Sequence, residues 1–181
     1  MTSRRVVVGV TGGIACYKAA ALVSQLVQNG LEVTAVMTAA AQQFVGPATF
    51  AALTGRAVAT EVFDPQYPLG AHIQLAQSHD LLCIAPATAD FLARMAQGLA
   101  DDLLSTLYLG FTGPVVVAPA MNDQMWNHRA VQRNVARLQE DGVHLVAPQA
   151  GWLSCRASGV GRMAEPEVIR AELESILGKT K

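Results

Sequence analysis

Short runs of β-branched, apolar residues alternate along the chain with longer stretches of mixed polarity. Arg5–Val10 (RVVVGV) predicts a strand, and Ile14–Asn29 a helix ended by Gly30. Leu31–Met37 predicts a second strand. Two short helices are expected around Ala39–Val45 and Pro47–Leu53, then an exposed strand at Val58–Phe63. Asp80–Ala85 and Pro114–Ala118 are apolar almost throughout, as parallel strands covered on both faces should be. Ala130–Asp141 reads as a helix, Val143–Val146 as a strand and Pro166–Leu177 as a terminal helix. Strand–helix alternation of this kind predicts an α/β fold: a doubly wound, Rossmann- or flavodoxin-like parallel sheet with helices on both faces, in one domain over residues 1–181.

In such sheets ligands bind beyond the carboxyl ends of the strands. The first strand runs into Thr11-Gly12-Gly13-Ile14, and the second ends at Met37-Thr38. The next two run into Pro86-Ala87-Thr88-Ala89-Asp90 and Pro119-Ala120-Met121-Asn122. Pro148–Arg162 holds three glycines and a cysteine and reads as a loop suited to a mobile lid. The periodicity alone therefore converges these segments on one site.

Gly12-Gly13 between a strand and a helix lets backbone N–H groups approach an anion, aided by the helix dipole. The pattern is neither GxGxxG nor a Walker A loop, and Thr38 stands where a ribose-binding acid would be expected. That favours a mononucleotide over a dinucleotide, with Thr38 and Thr88 hydroxyls helping to hold phosphate. The alternative is a plain tight turn with two solvated threonines. Asp102 and Ser105 have N-cap spacing, so Asp101–Thr106 reads first as a helix start.

Composition adds three constraints. Hydrophobic residues make up 51% of the 181 and charged ones 15%, against a usual charged share of about 25%. An unusually large core or surface hidden in an oligomer would account for that shortfall, and the oligomer is the expectation. A net charge of −1 gives no basic field for nucleic acid or an anionic membrane. The apolar runs fall short of the roughly 20 residues that span a bilayer. Nor does Met1–Arg5, leading straight into a strand, resemble a signal peptide. Three cysteines without regular spacing point to a reducing compartment, hence the cytoplasm, and no metal-ligand cluster is expected.

Six stretches, in order, carry a more specific signal: TGGIACYK (Thr11–Lys18), AHIQLA (Ala71–Ala76), IAPATADF (Ile84–Phe91), GLADDLLST (Gly98–Thr106), PAMNDQMW (Pro119–Trp126) and GVGRMAEP (Gly159–Pro166). Through them the chain resembles the homo-oligomeric flavin-containing cysteine decarboxylases, and among these the phosphopantothenoylcysteine decarboxylases. The resemblance implies FMN as cofactor, trimers or trimer-based assemblies with FMN near the subunit boundary, and a synthetase, often fused, that makes the substrate. It implies FMN-dependent decarboxylation of 4′-phosphopantothenoylcysteine to 4′-phosphopantetheine in coenzyme A biosynthesis. Decarboxylation of a peptide's C-terminal cysteine and a non-catalytic flavin-binding regulatory role are the alternatives.

Residue by residue, the resemblance makes His72 catalytic and Cys155 a proton donor on a substrate-covering flap. Asn122, Arg162 and Met163 would meet substrate. Gly12, Gly13, Ile14, Thr38, Pro86, Ala87, Thr88, Ala89, Ser105 and Ala120 would hold the cofactor, Ser105 at a flavin edge. One departure stands out: the family's usual Ala-Cys-Gly around the flap cysteine is here Ser154-Cys155-Arg156. The bulkier Arg156 bears on flap closure and on substrate identity.

Overall fold

Val6, Val7, Val8 and Val10 are all fully buried, so the first strand, β1 (Arg5–Val10), is covered on both faces. A computed structural model describes residues 4–179. Met1–Ser3, read as the lead into β1, and residues 180–181 of the expected domain lie outside the described residues. Side chains alternate across a strand: Val6, Val8 and Val10 face one apolar layer and Val7 the other. On the first layer lie α1 (Cys16–Gln28), α2 (Pro47–Thr54) and α8 (Pro166–Lys179). On the second lie α3 (Ala71–Ser78), α4 (Ala89–Gln97), α5 (Leu103–Gly110) and α7 (Arg129–Glu140).

The other strands are β2 (Glu32–Met37), β3 (Leu81–Ala87), β4 (Val115–Pro119) and β5 (His144–Leu145). All pair in parallel, in the order β2-β1-β3-β4-β5, with Val8 opposite both Ala35 and Cys83. This is the doubly wound sheet expected. No helix among the described residues is long and apolar enough to cross a membrane.

Several local expectations change. The helix expected at Ala39–Val45 is a single 3-10 turn, Ala41–Gln43. The strand expected at Val58–Phe63 reduces to one bridge, Ala59 to Val36, because only Ala59 reaches the edge of β2 before turns take over. The strand at Val143–Val146 keeps only two residues in regular pairing. Helices α3, α4 and the short α6 (Asp123–Trp126) were not legible as elements. Pro148–Arg162 is no irregular loop: β6 (Gln149–Trp152) and β7 (Ser158–Arg162) form an antiparallel hairpin outside the main sheet.

Candidate active site

The loop after β1 is pinned by Thr11. Its hydroxyl donates to the carbonyl of Pro86 at 2.6 Å and accepts from the backbone N–H of Thr88 at 3.0 Å. Two strand ends are thereby fixed to each other. At Gly12 a Cβ would overlap that of Ala40, so only glycine lets this loop lie against the one that follows β2. The backbone N–H groups of Gly12, Gly13 and Ile14 have no partner among the described residues and lead into the N-terminus of α1. Such a row of donors at a positive helix end is suited to a phosphate.

Around this row the other strand ends are equally fixed. The Thr38 hydroxyl accepts from Ala41 N–H, and the Thr88 hydroxyl caps α4 by accepting from Phe91 N–H, each at 3.2 Å. Ala120 N–H donates to the carbonyl of Ala87 at 3.0 Å. Asn122 caps α6: its Oδ1 accepts from Met125 N–H at 2.8 Å, which orients the carboxamide and leaves the Nδ2 hydrogens for a ligand.

The hairpin lies against this last segment. Met121 N–H donates to the Gly161 carbonyl at 2.9 Å, and a Cβ at Gly161 would overlap the Met121 carbonyl oxygen. At the hairpin tip Arg156 N–H donates to the Leu153 carbonyl at 2.9 Å and Leu153 N–H to the Ala157 carbonyl at 2.8 Å. Arg156 is left-handed, with φ 63°. That conformation suits glycine and costs an L-residue with a side chain roughly 1 kcal/mol or more.

These segments enclose a cavity of about 900 Å³, at the upper end of the usual range for small-molecule sites. Gly12, Gly13, Ile14, Thr38, Thr88, Ala89 and Ala120 line it, as do Asn122, Cys155, Arg162 and Met163. Ile14, Met121 and Trp152 add apolar wall suited to a flat ring. Of the cysteines only Cys155 is exposed. Burial raises the Cys16 thiol above its usual range and pushes Cys83 up to about 12, so both stay protonated packing groups.

Four expected site residues are not brought to the cavity wall. Pro86 and Ala87 are buried inside β3 and act through their carbonyls, which hold Thr11 and Ala120. Ser105 is fully buried in a capping box: its N–H and hydroxyl both bond the Asp102 carboxylate, each at 2.7 Å, so Asp102 rather than Ser105 reaches the cavity. His72 sits half-buried on α3, which packs against α5 away from the cavity, and its Nδ1 is buried without a partner.

Lys18 is a site residue that the sequence reading does not single out. It is 6% exposed, and its Nζ donates to the Met163 carbonyl and to Glu165 Oε1, both at 3.0 Å. Glu165 also pairs with Arg162 at 2.8 Å. The start of α1 is thereby strapped to the foot of the hairpin. A signal existed: Lys18 lies four residues before the core residue Leu22, on the apolar side of α1. Arg94 pairs with Asp90 at 2.8 Å and with Asp101, and also lines the cavity.

The Flavoprotein family matches residues 1–178. The Coenzyme A biosynthesis bifunctional protein CoaBC of Haemophilus influenzae is 43% identical over 180 residues, 99% of this chain and 45% of that protein. CoaBC of Bacillus subtilis is 46% identical over 170 residues, 93% of this chain and 42% of that protein. The chain thus spans less than half the length of these curated relatives. Among solved structures, the FMN-dependent cysteine decarboxylase SpaF superposes with a TM-score of 0.84 at 35% identity, covering 97% of this chain and 96% of that one. A PPC decarboxylase mutant complexed with pantothenoylaminoethenethiol superposes with a TM-score of 0.86 at 29% identity, covering 98% and 100%.

Proposed function

The chain belongs to the Flavoprotein family, and on that premise we propose that it binds FMN and decarboxylates 4′-phosphopantothenoylcysteine to 4′-phosphopantetheine, a step of coenzyme A biosynthesis. One observation carries the reading. Gly12–Ile14, Asn122 and Cys155, far apart in sequence, line a single cavity with the donors for a phosphate and walls for a ring. The likeness to CoaBC proteins and to a PPC decarboxylase supports the substrate, and the likeness to SpaF supports FMN.

The N–H groups of Gly12, Gly13 and Ile14 would hold the FMN phosphate, with Thr38 and Thr88 beside them and Ala89 and Ala120 on the wall. Bound there, FMN supplies the reversible two-electron oxidation that gives the electrons of a departing carboxylate somewhere to go. The chain's own residues do the rest. Asn122 Nδ2 donates to the substrate carboxylate and holds it in register without adding charge. Cys155 Sγ would supply a proton to the carbon that carried the carboxylate after CO₂ has left, so that the sulfur-bearing carbon can be reduced to the saturated thiol. Met163 closes the floor beneath the hairpin, and Arg162, pinned to Glu165, bounds the substrate's side.

His72 would serve as base or carboxylate-positioning group from a neighbouring copy, since within one chain it stands away from Asn122 and Cys155. Exposed apolar side chains support such an assembly, including Ile73 beside His72 and Ile14 and Tyr17 at the cavity's start. A homotrimer, or an assembly of trimers, is the reading that fits. The substrate would come from a synthetase, fused or separate, and the setting is the cytoplasm.

The test is product analysis by mass spectrometry after the yellow protein is incubated with 4′-phosphopantothenoylcysteine. Loss of CO₂ alone is expected. A product short of two further hydrogens would shift the reading to a decarboxylase of cysteine-terminated peptides that stops at the enethiol. An unchanged substrate would overturn it.

A further inference from the structure

The cavity is short of positive charge for what it is proposed to bind. Its lining residues and their ion partners comprise Lys18, Arg94 and Arg162 against Asp90, Asp101, Asp102 and Glu165. Lys18 and Arg162 share Glu165, and Arg94 is held between two carboxylates. The N–H row before α1 answers one phosphate, that of the cofactor. A substrate bearing a second phosphate and a carboxylate finds no uncommitted cation on the cavity wall.

Arg156, beside the wall rather than on it, offers one. It follows Cys155 directly, at the exposed tip of the hairpin, and its guanidinium makes no ion pair or hydrogen bond with any described residue. It occupies the left-handed position of the turn, φ 63°, that glycine would fill without strain. The side chain therefore adds no polar contact to the hairpin and works against the turn's own preference. Cys155 lines the cavity, and Arg156, exposed beside it, stands next to the wall rather than on it. With its cysteinyl end at Cys155, a long substrate leaves its phosphate end to be held by a group near the hairpin tip.

Resting on the function proposed above, we infer that Arg156 is a specificity residue: its guanidinium binds the phosphate monoester at the far end of the pantothenoyl chain when the hairpin covers the substrate. A planar guanidinium with several N–H donors matches that group.

The experiment compares two ligands that are not turned over, 4′-phosphopantetheine and pantetheine, by calorimetry on the FMN-loaded protein. The wild type should prefer the phosphorylated ligand. Arg156→Gly, which suits the turn and should fold at least as well, should lower that preference about tenfold, the value of one charge-assisted contact near the surface. Arg156→Lys should recover part of it, and added salt should weaken it. A wild type with no preference, or a preference unchanged in Arg156→Gly, would overturn the assignment. Turnover of 4′-phosphopantothenoylcysteine by the wild type is scored separately. Its absence, with the preference present and Arg156-dependent, would sink the proposed reaction and leave the phosphate contact standing.

Discussion

Asn122 shows how one side chain can be both cap and ligand. Its Oδ1 is spent on Met125 N–H, so its orientation is set before any substrate arrives. Aspartate caps as well as asparagine but would present a carboxylate to a carboxylate. Asn122→Asp should therefore unfold within about 0.5 kcal/mol of the wild type in urea, yet lose about 100-fold or more in kcat/KM. A parallel loss of stability would mean the cap, not the substrate contact, is what the residue is for. His79 offers a different residue-scale test. Its ring meets the Leu75 carbonyl and the Thr34 hydroxyl, each at 3.0 Å, and burial holds its pKa below the usual imidazole value. Because the folded state binds this proton less readily than the unfolded chain, the contribution is complete above about pH 6.5 and is lost as pH falls below that value. Wild-type urea midpoints should drop between pH 7.5 and 5.5 by more than those of His79→Gln.

Among the elements, legibility followed burial. The valine runs of β1 and β4 could be read because strands covered on both faces have few other compositions. Helices α3 and α6 could not. One is short and follows Gly70 at φ 93°; the other is four residues long and exists because Asn122 caps it. The hairpin reads as a loop in sequence because its strands carry glycines where an ordinary strand would carry side chains. At Gly161 the reason is the neighbouring Met121 carbonyl, a contact no local pattern reveals. The converging strand ends, by contrast, followed from topology, and most of the expected residues do line one cavity. Ser105 missed it because N-cap spacing places a hydroxyl behind its partner as readily as in front. At this scale Lys18 is the joint between α1 and the hairpin's foot. Lys18→Met would leave the Met163 carbonyl without its donor, and should cost about 2 kcal/mol in unfolding free energy. It should also speed protease cutting near Cys155. Unchanged cutting would show that the hairpin is held by its contact with Met121 instead.

For the whole molecule, the separation of His72 from Asn122 and Cys155 has a direct consequence. If the site is shared between copies, two inactive variants can repair each other. His72→Asn and Asn122→Asp proteins, each inactive alone, should regain activity when unfolded and refolded together, up to about one quarter of wild type if each site draws on two copies assorting at random. No recovery, in mixed oligomers confirmed by native mass spectrometry, would place His72 and Asn122 in one chain's site.

The single bridge from Ala59 to Val36 has a wider effect than its size suggests. A sheet offers two open borders along which a second copy could add a strand, and so on without limit. Here one border is interrupted where Ala59 takes the β2 backbone groups, and the other is β5, only two residues long. Neither gives an incoming strand a run of free donors and acceptors to template on. Strand-to-strand growth of the main sheet from copy to copy is thereby disfavoured, which leaves the exposed faces of helices as the surfaces for the assembly proposed above.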